Sequence, residues 1–351
     1  MNQPALLNKD GTGISLSVSD IALLWDEQSR CIDSGYIYPG RRRLEASDRE
    51  GFAKLMGTQL TEMCTKAGSP CFDFDIRLGE SVMRGAGRRV AGGKVDIFLR
   101  HNRPLPAPDL ETLIGPAYAE VLMAPKLCGG GIVIVCGETG SGKSTTMARM
   151  VIDRLTKFGG VAHGFGYPLE YLISGEHGMG VCYQVETSDD ELALQLKHVL
   201  RCMPVATAGI LFINEIRDAE AARNMFTAAQ NGFLVVFSMH SHGITAALQR
   251  LLIFFGQDSL PHYRSVLGDT LRLVVYQRLR RHQPKAISPS LLFDSGSANE
   301  LRVSVEVELL YSNPDEHAIG EIIRSGRIME LSNLISAQNN RLRNRDSING
   351  L

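Results

Sequence analysis

The chain has 351 residues, 44% of them apolar and 21% charged, enough for a buried core and room for two domains, which excludes a disordered or fibrous polypeptide. Its 37 lysines and arginines against 38 aspartates and glutamates leave a formal charge of -1. No overall basic excess therefore marks it for nucleic acid or an anionic membrane surface, although a local basic patch stays open.

In chain order, apolar spacing predicts a helix over 48–66, and alternation predicts strands over 72–76 and 94–99. Residues 1–100 thus read as a small α+β domain. The run RPLPAPDLETL places three prolines in five residues before Asp109, a plausible helix N-cap, and marks a linker over 101–108. Beyond it, strands are predicted over 131–136, 209–213 and 233–239, and helices over 143–158, 194–203 and 219–230. Short runs that are apolar throughout imply strands buried on both faces, hence a mostly parallel sheet covered by helices, an α/β nucleotide-binding architecture. A hairpin (290–293, turn 294–297, then 302–310) and helices over 318–324 and 328–340 close this domain, placed at 109–338. The polar residues 339–351 read as a frayed tail, and the arginine runs at 41–43 and 278–281 as solvated turns.

The decisive run is GIVIVCGETGSGKS, in which a strand leads into G-x-x-x-x-G-K-S and then a helix. Gly137, Glu138, Thr139, Gly140, Ser141 and Gly142 form a loop whose backbone N–H groups can face the phosphates of ATP, with the positive end of the following helix behind them. Lys143 reaches the β- and γ-phosphates, Ser144 places its hydroxyl on Mg2+, and Thr145 is near enough to assist. The bland alternative, a glycine-rich turn that binds nothing, fits the strand and helix context poorly. GILFINEIRD then ends a buried strand in Glu215, where a nucleotide-hydrolysing fold needs a carboxylate for water activation and metal contact; the alternative is an ion pair with Arg217. His240 ends another apolar run and could sense the γ-phosphate or simply be a core histidine. His240 and His242 share a strand face, but without a third ligand nearby no metal site is expected there.

These residues resemble the secretion ATPase superfamily, which includes the type II secretion ATPases, the type IV pilus assembly and retraction ATPases and the ATPases of type IV secretion. The specific stretch is NEIRDAEAARNMFTAAQNGFLVVFSMHS (214–241), similar to the family's G-E-x-R-D…T-A-A-x-T-G-H-x-V…T-x-H-T. Glu215, Arg217 and Asp218 match the Walker B block, Thr227, Ala228 and Ala229 the following helix, and His240 the histidine box. LRCMP (200–204), Gln184 with Glu186, and 267–281 resemble L-R-x-x-P, Q-x-E and L-x-x-x-L-x-x-V-x-x-Q-x-L. The resemblance covers about 95–340; the first ninety residues resemble the family's variable N-terminal domain only in length and order.

The resemblance implies a RecA-like P-loop ATPase domain preceded by a smaller, PAS-like α+β domain. It further implies six copies in a ring at the cytoplasmic face of a membrane complex, with partners among the inner-membrane platform or channel proteins of a secretion, conjugation or pilus machine. Hydrolysis would rotate one domain against the other, with nucleotide between them. Arginine fingers from a neighbouring subunit would come from the first domain; Arg100 is the first choice and Arg88 the second. Two departures stand out. The family's aspartate box, E-[DA]-P-[IL]-E, reads Gly166-Tyr167-Pro168-Leu169-Glu170 here and lacks its first acid, so turnover could be slow unless Glu170 or Glu186 substitutes. Phe233 also stands where a histidine is common. Two other readings stay open: a nucleotide-binding assembly subunit with little turnover, and a DNA-translocating RecA relative, although DNA binding is not expected.

Seven cysteines, an odd number without a C-x-x-C pair, suit a reducing compartment and read as small, mostly buried residues. No apolar run approaches the roughly 18 residues that span a bilayer, and MNQPALLNKDGTG lacks a basic segment followed by an apolar one. The expected location is the cytoplasm, peripheral at the inner membrane.

Overall fold

Alternating apolar residues build the first part of the chain into an antiparallel sheet. In the computed structural model, which describes residues 18, 20–38, 41–78, 81–102, 105, 109–166, 169–202, 209–216, 218–282 and 302–344, the chain divides into two units, 1–104 and 105–351. The first holds β1 (Asp20–Asp26), β2 (Cys31–Tyr38), β3 (Arg42–Arg43), α1 (Ala46–Lys66), β4 (Cys71–Leu78), β5 (Ser81–Val90) and β6 (Lys94–Asn102). Its strands run in the order β3-β2-β1-β6-β5-β4, every neighbouring pair antiparallel. In β1 the side chains of Ile21, Leu23 and Trp25 alternate into the core, and α1 answers with Phe52, Met56, Leu60 and Cys64, one per turn on a single face. In the run 41–43, Arg41 is an exposed turn residue and Arg43 is exposed, as expected, but Arg42 is not. Arg42 lies in β3 and donates to Asp48 Oδ2 at 2.6 Å, both side chains less than a fifth exposed, while the same carboxylate accepts from the backbone N–H of Glu45 and so caps α1.

The second unit opens with α2 (Leu110–Ile114) and α3 (Pro116–Leu122) and continues through β7 (Gly131–Gly137), α4 (Lys143–Phe158), β8 (Gly160–Gly166), β9 (Gly175–His177) and β10 (Gly180–Glu186). There follow α5 (Asp189–Cys202), β11 (Gly209–Glu215), α6 (Ala219–Gln230), β12 (Leu234–His240), α7 (Ile244–Ile253), α8 (Leu260–Thr270), β13 (Leu271–His282), β14 (Arg302–Tyr311), α9 (Ala318–Arg324) and α10 (Leu331–Arg343). The eight-stranded sheet has the order β14-β13-β7-β12-β11-β8-β10-β9. From β13 to β10 all pairs are parallel; β14 and β9 join antiparallel at the edges. Both faces are covered. Met147, Val151 and Leu155 of α4 pack on Val133, Val135 and Val236, while Phe226, Leu248, Leu267 and Ile323 pack on Ile134 and Phe237 from the other side. Two-sided burial is why these strands are apolar throughout.

Other expectations change as well. The strand and turn at 290–297 lie outside the described residues; β14 pairs with β13, so Arg278 to Arg281 are strand residues rather than a turn: Arg280 pairs with Glu306 at 2.7 Å and Arg278 donates to the Tyr276 hydroxyl. Residues 339–343 are the last turns of α10, and Asn339 is 4% exposed because its carboxamide clasps the backbone of Leu309. Of the seven cysteines, Cys64, Cys136 and Cys182 are buried but Cys31, Cys71, Cys128 and Cys202 are exposed, and none is in a disulfide. Among the described residues, no helix is long and apolar enough to cross a membrane.

Candidate nucleotide-binding site

The parallel register lines up the carboxyl ends of four strands. Gly137 of β7 faces His240 of β12, Ser238 of β12 faces Glu215 of β11, and Phe165, next to Gly166, faces Ile213. That edge is where open α/β sheets bind ligands. Between β7 and α4 the loop turns through Gly140 and Gly142, whose φ angles of 76° and 88° suit glycine and aim the chain into the first turn of α4. At Gly137 a Cβ would stand 2.2 Å from the Gln277 carbonyl oxygen, so no side chain fits there.

Lys143 is only 6% exposed, and its Nζ donates to the carbonyl oxygens of Gly137 (3.1 Å) and Glu138 (2.8 Å). Burial pushes this ammonium below the usual lysine range, and the carboxylates of Glu170 and Glu215 pull it partly back. Both acids are therefore within electrostatic reach of the loop lysine. The Ser141 hydroxyl is buried in this loop without a hydrogen-bond partner among the described residues. A buried cation and an orphaned hydroxyl in one glycine-rich loop fit a polyphosphate.

Glu215 is mostly sheltered, and His240 Nε2 stands 3.9 Å from its Oε1. His240 is no core histidine: its side chain is 42% exposed and helps line a cavity of about 460 Å³ with Glu138, Thr139, Ser241, His242 and Arg250. His242 Nδ1 lies 3.5 Å from Glu138 Oε1 across it. On the other side of the loop, the Thr145 hydroxyl is 2.7 Å from that of Tyr171, and Gln184 holds the Tyr171 segment by donating to its carbonyl and accepting from Ile173 N–H. Ser144 is the second residue of α4 and is half-buried. Glu170 is exposed in the segment after β8, and Glu186 is exposed at the end of β10.

Arg88 and Arg100 belong to the first unit, where Arg88 pairs with Asp96 at 2.9 Å and Arg100 with Asp20 at 2.8 Å. Tyr167, Pro168, Met203, Pro204 and Arg217 lie outside the described residues. Sequence reasoning missed three neighbours of the site. Gln277 is fully buried and donates to Thr146 Oγ1 at 2.9 Å; the glutamine of the quoted 267–281 pattern was its signal. Tyr171 carries no motif signal at all. Asn214, whose side chain stands against Gly166, was marked only by occupying the place of the glycine in G-E-x-R-D.

A parallel sheet carrying at its carboxyl edge a glycine-rich loop, a buried lysine and a strand-end acid defines a P-loop nucleotide-binding protein. Residues 115–329 match the family described as "Type II/IV secretion system protein". The chain belongs to that family. It is 29% identical over 264 residues to a protein of Escherichia coli (strain K12) known as "Uncharacterized protein YggR", covering 75% of this chain and 72% of that one. It is 30% identical over 172 residues to the type IV pilus ATPase PilU of Pseudomonas aeruginosa (strain PAO1), covering 49% of this chain but only 43% of PilU. Among solved structures, the pilus retraction motor PilT with bound ADP superposes with a TM-score of 0.66 and 25% identity, over 92% of this chain and 86% of that one.

Proposed function

We propose that this chain is the ATP-hydrolysing subunit of a hexameric motor that powers a type IV secretion, conjugation or type IV pilus machine. That it is an ATPase follows from its family and its P-loop. The observation that carries the hydrolytic reading is Glu215 at the end of β11, 3.9 Å from His240 and, with Glu170, within electrostatic reach of buried Lys143. Lys143 would leave its loop carbonyls to bind β- and γ-phosphate oxygens. Glu215 would accept a proton from the attacking water, and His240 would register the γ-phosphate. Among the described residues no three His, Cys, Asp or Glu side chains gather as a metal cage; Mg2+ would rest on Ser144, Glu215 and the nucleotide's own oxygens, where it neutralises phosphate charge.

Arg100, and next Arg88, would leave their present carboxylate partners to reach a neighbouring subunit's nucleotide. The antiparallel sheet crossed by one helix supports a PAS-like N-terminal unit, and hydrolysis would drive rotation of that unit. The partners would be inner-membrane platform or channel proteins at the cytoplasmic face. A second reading, an assembly subunit that binds nucleotide with little turnover, is favoured by the absence of an acid at Gly166.

Phosphate release with Mg2+ over a range of protein concentrations separates the two. A motor gives turnover per chain that rises with concentration and falls at least about a hundredfold in Lys143→Ala and Glu215→Gln. Nucleotide binding without phosphate release at any concentration selects the assembly subunit.

A further inference from the structure

Building on the ATPase reading, we propose that Asn214 is a positioning residue of the nucleotide site, its carboxamide standing in for the acid that position 166 does not carry. A Cβ on Gly166 would lie 2.4 Å from Asn214 Nδ2 and 2.5 Å from its Cγ, so the amide occupies the space that a side chain at 166 would need. A side chain at 166 would have to turn the Asn214 carboxamide out of the place it now holds. The absence of an acid at 166 is therefore not a hole in the site but an exchange across two adjacent strands.

The backbone aims Asn214 there. Pairing of β11 with β12 slips at this residue: Ile213 faces Phe237, Glu215 faces Ser238, and Asn214 is the extra residue between them. Such a bulge redirects side chains near active sites, and the Ser238 hydroxyl donates to the Asn214 carbonyl oxygen within it. Asn214 and Glu215 are thus set together at the carboxyl edge, between the strand that ends in Gly166 and the strand that ends in His240.

The chemistry suits the place. A carboxylate would add a third negative charge beside Glu170 and Glu215, both of which already act on Lys143. A carboxamide offers two N–H donors and one acceptor oxygen without charge, so it can orient the attacking water or a phosphate oxygen while adding no repulsion toward the anionic nucleotide. Glu215 keeps the task of accepting the proton.

The test compares wild type with Asn214→Ala, Asn214→Gly, Gly166→Glu and the double variant Gly166→Glu/Asn214→Gly. For each, kcat and KM for ATP are measured, together with the melting temperature and the affinity for a non-hydrolysable ATP analogue with and without Mg2+. Asn214→Ala is expected to lower kcat about tenfold or more, the usual loss on removing an orienting partner, with KM changed less than about twofold. Gly166→Glu alone is expected to lower both kcat and melting temperature. The double variant recovers both, and its analogue binding depends on Mg2+ more strongly than in wild type. Wild-type kcat in Asn214→Ala, or a double variant no better than the product of its singles, overturns the proposal. If wild type binds the analogue without turnover, the ATPase reading fails instead. The melting temperature and the Mg2+ dependence of the double variant then still decide the exchange between 166 and 214.

Discussion

Lys143 is a buried cation that rests on two carbonyl oxygens of its own loop, and a group in that state is primed to exchange them for phosphate oxygens. Burial holds its ammonium below the ordinary lysine range of about 10.4. A polyphosphate placed beside it favours the charged form and raises it again. The sign follows directly. Between the lowered value of the free protein and the raised value of the complex, binding draws a proton from solution, and affinity falls as the pH rises through the lower value. Calorimetric titration of an ATP analogue at alkaline pH, in two buffers of different ionisation heat, should show net proton uptake that disappears in Lys143→Arg, whose guanidinium stays charged throughout. Buffer-independent heats would mean that Lys143 is already fully charged in the free loop.

At the scale of the element, the edge of the large sheet shows how polar residues can be structural. Asn339 on α10 accepts from Leu309 N–H at 2.9 Å and donates to its carbonyl at 2.8 Å. Gln338 makes the same pair of bonds with Tyr311, both at 2.9 Å. Two side-chain amides thereby pair the outer edge of β14, as a further strand would, and protect it from pairing with another chain. Replacing Asn339 by Ala leaves the Leu309 N–H and C=O buried and unpaired. Urea denaturation of Asn339→Ala is expected to show a loss of about 2–3 kcal/mol, the cost of stranding buried backbone groups. A loss below about 0.5 kcal/mol, the level of an ordinary surface change, would mean that the clasp does not hold the edge.

At the scale of the whole molecule, each unit closes its own core. Trp25, Phe52, Ile97 and their neighbours belong to one cluster, while every buried residue of the two clusters around the large sheet lies at or beyond Leu110. Separate cores favour separate cooperative transitions. Scanning calorimetry should resolve two, and an ATP analogue at about a hundred times its Kd should stabilise the unit that carries the P-loop by about 2.7 kcal/mol. The shift should be absent in Lys143→Ala. One transition that moves as a whole would show that the two cores unfold together.

The chain's local chemistry was sufficient for whatever depends on neighbours in sequence. The loop from Gly137 to Ser144 and the bounds of α4 and α6 follow from glycine, capping and apolar spacing within a few residues, and the family follows from short motifs such as NEIRD. Strands with weak alternation or interior glycines, among them β5 and β8, carry no such local signal and exist because partners on both sides pair with them. Burial sorted the cysteines, and pairing turned the arginines of 278–281 into strand residues, since one-dimensional patterning carries neither depth nor strand partner. The exchange between Gly166 and Asn214 is the clearest case. Forty-eight residues apart in the chain, they compete for one space only because β8 and β11 are adjacent in the sheet. Sequence alone determined the glycine-rich loop between β7 and α4, its lysine and the acid that ends β11. Tertiary structure decided which side chains share the space around that loop, because steric exclusion and electrostatic reach are properties of distance, not of order along the chain.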